Sequence, residues 1–314
     1  MKPNKRMLTI LIPILAILST LPLYVSGYII SLLVTILMYA ILAVSWNILS
    51  GYTGYISLGT AAFFGIGVYV TVMGWPAGFP YPLLIVLGGL ASMIFALLIG
   101  FLCLRIRGPY FVILTFGLTE AVKSIIEQVE VKIKGGMFGN VLVGAPSMET
   151  FYYSLLVICI ITVVTDHIIR NSKFGFGLSS IKGNEEAAEA MGVNTTWYKL
   201  FALAISALFM GFTGAVMALR WTFIVPAIAF SPMASFQTMI MAILGGSTDF
   251  RGPLLGATIL TLISEAFGIR FPYHYMILLG VTLILIVKFL PMGLLGAIRG
   301  LRIAKKQYGS LLSP

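Results

Sequence analysis

Apolar runs of close to twenty residues recur from one end of this 314-residue chain to the other. Each is about as long as a helix must be to cross the hydrocarbon core of a bilayer. Lipid offers the backbone no hydrogen-bond partners, so runs of this kind form helices that satisfy their own peptide groups. Ten candidate spans follow, at roughly 7–25, 28–49, 53–73, 82–104, 109–126, 151–169, 199–222, 233–246, 254–269 and 273–290. The eighth is short and bounded by glycine, as a half-helix or a re-entrant segment would be. Only 10% of the residues are charged, against about a quarter in an average soluble domain, too few to cover a water-facing surface. The sequence therefore predicts an all-α polytopic transmembrane helix bundle of about ten spans. It forms one membrane domain over residues 1–314, with no room for a soluble domain.

The net charge of +10 suggests no nucleic-acid partner in a chain of this kind, because Lys and Arg collect on the cytoplasmic side of membrane proteins. Placing the N-terminus (Lys2, Lys5, Arg6) in the cytoplasm and alternating the spans leaves fifteen of the twenty basic residues inside. The cytoplasmic set includes Arg105 and Arg107, the group Arg170, Lys173, Lys182 and Lys199, Arg251, and the basic C-terminal tail. Both termini are then cytoplasmic, and residues 170–198 form the longest cytoplasmic loop. The basic, apolar N-terminus imitates a signal peptide, but the run from Met7 to Val25 is long for a signal core and is read as a first span. Cys103 and Cys159 each lie inside an apolar run with no CxxC, and His167 and His274 have no ligand-spaced partners, so no metal site or disulfide framework is indicated.

The long loop holds the most polar stretch of the chain, IKGNEEAAEAMGVNT (181–195), which carries three of the ten acidic residues. Asn184 is a good N-cap, Glu185 and Glu186 occupy a first turn where the helix dipole favours negative charge, and Gly192 is placed to end the helix. Ala187, Ala190 and Met191 share one face, and Glu185 and Glu189 lie together on another. A helix this short is not stable alone. Either it lies on the protein's own cytoplasmic ends, or it inserts into a groove on a cytoplasmic partner.

Glu186-Ala187-Ala188 followed by Gly192 resembles the E-A-A-x-x-x-G motif in the membrane subunits of bacterial ABC importers. The surrounding stretch 174–218, together with WNILSGYTGYISLGTAAFFGIGVYV (46–70), RGPYFVILTFGLTEAV (107–122) and MAILGGSTDFRGPLLGA (241–257), resembles the branched-chain amino-acid permeases of the LivM/LivH type, with the LivM branch favoured. The resemblance covers most of residues 40–290. It implies an ABC importer permease fold, with residues 170–198 as the loop that couples the permease to its ATPases through Asn184, Glu185, Glu186, Ala187, Ala188 and Gly192. It also implies a second LivH-like permease subunit, two cytoplasmic ABC ATPases that carry the ATP and Mg, and an extracytoplasmic solute-binding protein. The segment IKGGMFGN (133–140) departs from the family pattern, and urea-type permeases share much of the rest, which leaves the solute open between branched-chain amino acids and urea, amides or other amino acids.

The stretch SGYTGYISLGTAAFFGIGVYV (50–70) is rich in small residues, which let membrane helices approach closely. It also reads as part of a substrate path. Gly51 and Gly54 interrupt a helix, and Tyr52, Tyr55, Ser57 and Thr60 supply hydrogen-bonding groups. Glu120 joins this set, because ionisable residues within spans are functional candidates; Lys123 stands three residues on, placed to pair with it. Glu265 is a further ionisable residue within a span. Asp249 and Arg251 read as a clamp across a cytoplasmic turn.

No G-x-x-x-x-G-K-[ST] loop is present, and neither a Ser-His-Asp set nor a carboxylate pair occurs in a plausible site. The chain is therefore read as a transport subunit rather than an enzyme, without a cofactor of its own, in the cell membrane. An ion-coupled secondary transporter, which would carry more intramembrane charge or inverted repeats, is the alternative from another class.

Overall fold

The computed structural model describes residues 20–134, 139–221, 223–247 and 249–270, with Ile277, Gly280, Val281, Ile284 and residues 293–296. Seven helices among the described residues are long and apolar enough to cross a membrane, and a shorter apolar helix joins them. In chain order the helices are α1 (Gly27–Trp46, continued by a π-helical turn at Asn47–Gly51), α2 (Thr60–Gly74), α3 (Tyr81–Cys103), α4 (Pro109–Lys134), α5 (Met148–Arg170), α6 (Lys173–Gly183), α7 (Glu185–Ala190), α8 (Thr195–Arg220), α9 (Pro226–Ala229), α10 (Pro232–Gly245) and α11 (Arg251–Arg270). Two short strands, β1 (Asn140–Val141) and β2 (Phe223–Ile224), pair antiparallel. The predicted spans 7–25 and 273–290 lie almost wholly outside the described residues; of the other eight, seven correspond to helices long enough to cross and the third to the shorter α2, so the expected count of about ten is not confirmed.

The third expected span departs most from the sequence reading. It begins at Thr60 rather than at residue 53, because residues 54–59 are not helical. Gly54 takes φ +79°, a conformation that ends the preceding helical turn and that glycine adopts without a Cβ penalty. The peptide groups this frees are satisfied from elsewhere in the protein. The Trp46 indole donates to the Ser57 carbonyl (2.7 Å), and Thr115 Oγ1 accepts from the Leu58 amide (3.0 Å).

α8 is the axis of the bundle, with 78% of its apolar window buried against 17% for α4. Lipid gives helices little reason to associate, so close van der Waals contact must hold them. Glycines supply it where α2, α3 and α8 cross. A Cβ on Gly67 would stand 2.1 Å from the Gly211 carbonyl oxygen, one on Gly214 2.0 Å from that of Phe64, and one on Gly88 2.8 Å from the Ala215 Cβ. Ser92 donates to the Phe63 carbonyl across the same crossing (2.8 Å). α10 and α11 meet in the same way, with a Cβ on Gly256 only 1.9 Å from the Met241 carbonyl.

The connections sort to two ends. At one end, residues 51–59, 104–108, 170–194 and 246–250 touch one another through Arg107 and Glu185, Lys182 and Gly51, and Arg170 and Asp249. At the other, the Trp75 indole donates to the Val143 carbonyl, and Asn140 pairs with Ile224. This grouping is the alternation that the basic residues implied. The protein is thus a multi-pass membrane helix bundle.

Candidate coupling site and membrane cavities

α7 forms as its end residues dictate. The Asn184 side chain accepts from the Ala187 amide (3.1 Å). Beyond the last turn the Gly192 amide donates to the Glu189 carbonyl and that of Val193 to the Ala188 carbonyl, while Gly192 takes φ +86°. This pair of bonds is the Schellman closure, and it favours glycine at that position. Ala188 is the one residue of α7 that is fully buried. Ala187, Ala190 and Met191 face outward, Met191 being 74% exposed. The first of the two arrangements the sequence left open is therefore present, and the other side of α7 is exposed. One side rests on the protein's own end, and the alanine–methionine side is presented outward.

Glu185 fastens the first side. Its side chain is 10% exposed and lies 2.6 Å from the Lys199 ammonium and 3.4 Å from the Arg107 guanidinium. The Tyr55 hydroxyl donates to it as well. Burial pushes the Glu185 carboxyl up, but the hydrogen bonds from Lys199 and Tyr55 and the charges of Lys199 and Arg107 outweigh it and hold the group below the usual carboxylate range. Lys199, 3% exposed, also donates to the Tyr55 hydroxyl and to the Leu104 carbonyl (3.2 Å each) and sits 4.5 Å above the Tyr55 ring. Tyr55, buried and bonded to Glu185, is held above the ordinary phenol range. Arg107 fans over all three glutamates, at 3.8 Å from Glu186 and 4.0 Å from Glu189. Glu186 is 85% exposed, so that contact is weak. Glu189 accepts from Thr195.

The loop end is tied to residues 51–57 at further points. Lys182 donates to the Gly51 carbonyl (2.8 Å), and the buried Tyr52 hydroxyl donates to Asp166 (2.8 Å). A Cβ on Gly51 would collide with Asn47 Oδ1 at 1.9 Å and approach the Ser247 carbonyl at 3.2 Å. Gly51, Tyr52, Gly54, Tyr55 and Ser57, expected along a substrate path, are here joined to the 171–194 loop, to Asp166 of α5 or to neighbouring backbone. Asp249 pairs with Arg170 at 2.7 Å rather than with Arg251, whose guanidinium lies over the Phe250 ring. The turn clamp therefore reaches across to the end of α5.

The family model described as branched-chain amino acid transport system / permease component matches residues 28–287. The chain belongs to this family. The permease is 26% identical over 317 residues to the high-affinity branched-chain amino acid transport system permease protein LivM of Salmonella typhimurium. It is 25% identical over the same length to LivM of Escherichia coli, each match covering 91% of this chain and 74% of the relative. A more distant likeness, 23% over 144 residues and 45% of each chain, is to the ribose import permease protein RbsC of Haemophilus influenzae. No solved structure matches.

Two cavities lie among the helices of the permease. The first, of about 330 Å³, is walled by apolar residues of α1, α2 and α10, among them Leu42, Ala61 and Phe64, and by the α8–α10 connection at Trp221 and Ile228. The second, of about 260 Å³, lies among α1, α10 and α11 and is polar, with Thr35, Thr261, Ser264 and Glu265. Tyr39 and Gln237 line both and are hydrogen-bonded to each other. Of the residues expected along a path, Thr60 lines the first cavity. Glu120 faces neither cavity; it pairs with Lys123 at 3.0 Å, as their spacing predicted.

Sequence reasoning missed Arg107, Lys182 and Lys199 as clamp residues, and Tyr39 and Gln237 as cavity residues. Glu265 had been noted only as a charge within a span. A polar side chain inside an apolar run was the available signal, but its partners come from helices distant in the chain.

Proposed function

We propose that this permease is the membrane-spanning subunit of an ATP-driven importer that translocates leucine, isoleucine and valine handed to it by an extracytoplasmic solute-binding protein. Its partners are a second LivH-like permease and two cytoplasmic ATPases that bind the ATP and Mg; the chain holds no cofactor. It sits in the cell membrane with both termini cytoplasmic. The observation that carries the reading is the fastening of α7. A capped helix presents an alanine–methionine face and Glu186 outward, while Glu185 ties it through Lys199 and Arg107 to Tyr55. A movement imposed on α7 by an ATPase would pull residues 52–59, and residue 59 adjoins Thr60, the first residue of α2 and part of a cavity wall. Such coupling requires contacts that differ between two states.

Reconstitution in liposomes tests this, with and without the ATPases, the second permease and the binding protein, following radiolabelled leucine. ATP-dependent uptake is expected only with the full set. Uptake by the permease alone on a proton or sodium gradient would make it a secondary transporter, and full-set uptake of urea but not leucine would change the solute. Gly192→Val, which forces a β-branched residue into a left-handed conformation, is expected to abolish coupled uptake while the protein still inserts. Ser172→Cys should react with thiol reagents only from the cytoplasmic face.

A further inference from the structure

The two cavities hold polar groups that no contact among the described residues explains. Thr60 Oγ1 in the first, and Thr261 Oγ1 and Ser264 Oγ in the second, are buried with no hydrogen-bond partner among the described residues. Thr60 and Thr261 are only 1% and 3% exposed. A buried hydroxyl left unpaired is costly, so a native protein that keeps several around one space gives that space something to bind. A carboxyl side chain adds to this. Glu265 lies within α11, accepts from the Tyr28 hydroxyl (2.8 Å) and lines the second cavity, and an ionisable residue inside a span marks a ligand or ion pathway by default. The Arg220 guanidinium approaches the same cavity, donating to Thr35 Oγ1 (3.1 Å) and to Ser31 Oγ (2.8 Å). The polar chamber thus has a carboxyl and a guanidinium group near it. The adjoining chamber is walled by Leu42, Phe64 and Ile228, and volumes of about 300–1,000 Å³ suit small ligands.

We infer that the two cavities form one bipartite site, inside this single subunit, for a zwitterionic amino acid with an uncharged aliphatic side chain. The side chain enters the apolar chamber between α1, α2 and α10, and the ammonium is received at Glu265 with Ser264 and Thr261 as hydrogen-bonding neighbours. The Tyr39–Gln237 pair stands at the seam between the chambers. Arg220, through Thr35, places its positive charge on the carboxylate's side. The first chamber reaches the α8–α10 connection at the end opposite α7, so the ligand enters from that end. The inference rests on the proposed import of branched-chain amino acids and locates where this subunit holds them.

Thiol protection in the purified full-length chain tests it. Ser231→Cys reports on the apolar chamber and Gly268→Cys on the polar one, against native Cys103 and Cys159, which are buried. Saturating leucine, isoleucine or valine is expected to slow labelling of both reporters about tenfold, and lysine, aspartate and urea to leave it unchanged. Glu265→Gln should remove the protection and Glu265→Asp restore part of it, with ligand-free labelling at the parent rate showing that the cavity keeps its shape. In the assembled transporter, Glu265→Gln should raise the KM for leucine about tenfold, as loss of one charge-assisted hydrogen bond implies. Leucine import without leucine protection would overturn the site and leave the proposed function standing. Leucine protection without leucine import would do the reverse. Protection by urea in place of leucine, protection at one reporter only, labelling of neither, or protection that survives Glu265→Gln would each overturn the bipartite amino-acid site.

Discussion

The Lys199–Glu185–Tyr55 cluster at the loop end and the two cavities treat buried polarity in opposite ways. At the loop end, the almost buried Lys199 has three acceptors in Glu185, Tyr55 and the Leu104 carbonyl. In the cavities, the hydroxyls of Thr60, Thr261 and Ser264 find no partner among the described residues. The first arrangement is complete without any other molecule, and its completeness makes it rigid. A buried polar network fully satisfied fixes one geometry, which suits an element that must pass on movement without absorbing it. The second is incomplete, which suits an element that must accept and release a guest.

The largest expected effect comes from breaking the closed network. Lys199→Met leaves the Glu185 carboxylate buried with only the half-exposed Arg107 as a charged partner and the Tyr55 hydroxyl as a neutral one, and removing one partner of a buried pair costs about 3–5 kcal/mol. Thermal unfolding is read directly through Cys103 and Cys159, which are buried in the fold and react with a thiol-sensitive dye as it opens. A large drop in melting temperature is expected, and adding Glu185→Leu should recover much of it, because an apolar pair can replace an ionic one. An unchanged melting temperature for Lys199→Met would show that the network is not a clamp.

Gly67→Ala comes next. Its Cβ would press on the Gly211 backbone at 2.1 Å, and overpacking of this kind costs about 1–3 kcal/mol. Gly117→Ala in α4 meets nothing within 4 Å, and relief of backbone entropy should leave it neutral or more stable by about 0.5–1 kcal/mol. Equal effects at the two sites, read by the same dye, would remove the distinction between the packed axis and the peripheral helix.

A matched pair sharpens the contrast between closed and open polarity. Thr195 donates to Glu189 at the loop end, so Thr195→Val should destabilise by about 1 kcal/mol. Thr261→Val removes an unpartnered hydroxyl at nearly constant shape and should be neutral or stabilising. Destabilisation by both would mean that the Thr261 hydroxyl is satisfied in the folded protein.

The smallest effect is a pH dependence. Glu185 is held below the usual carboxylate range, so as pH falls the unfolded chain takes up its proton first, near about 4.3. The stability Glu185 contributes is fully present above that value and is lost as pH falls through the folded-state value. The gap in melting temperature between the parent and Glu185→Gln should therefore be constant near neutrality and close below about pH 4. A gap that widened on acidification would reverse the assignment.

Local rules were enough for much of this. The positions of most spans and the ends of α7 were legible because each depends on neighbours within a few positions. Asn184 caps the amide three residues on, and Gly192 closes the turn just before it. The Glu120–Lys123 pair, three residues apart, was legible for the same reason. The start of α2 was not. Whether residues 54–59 continue a helix depends on Trp46, Thr115 and the left-handed Gly54, and Thr115 lies more than fifty residues away.

By itself, then, the sequence determined that the chain crosses a membrane repeatedly as helices and that a capped acidic peg stands between two spans, because hydrophobic length, charge distribution and capping act locally. Only the tertiary structure decided which glutamate of that peg is buried and which is offered outward. It also decided that Tyr39 and Gln237 stand between two chambers while Glu120 does not face them. Those outcomes depend on which faces of distant helices meet. In a membrane the glycines of α2, α3 and α8 set that by how closely backbones can approach, and they outweigh any preference of the polar residues themselves.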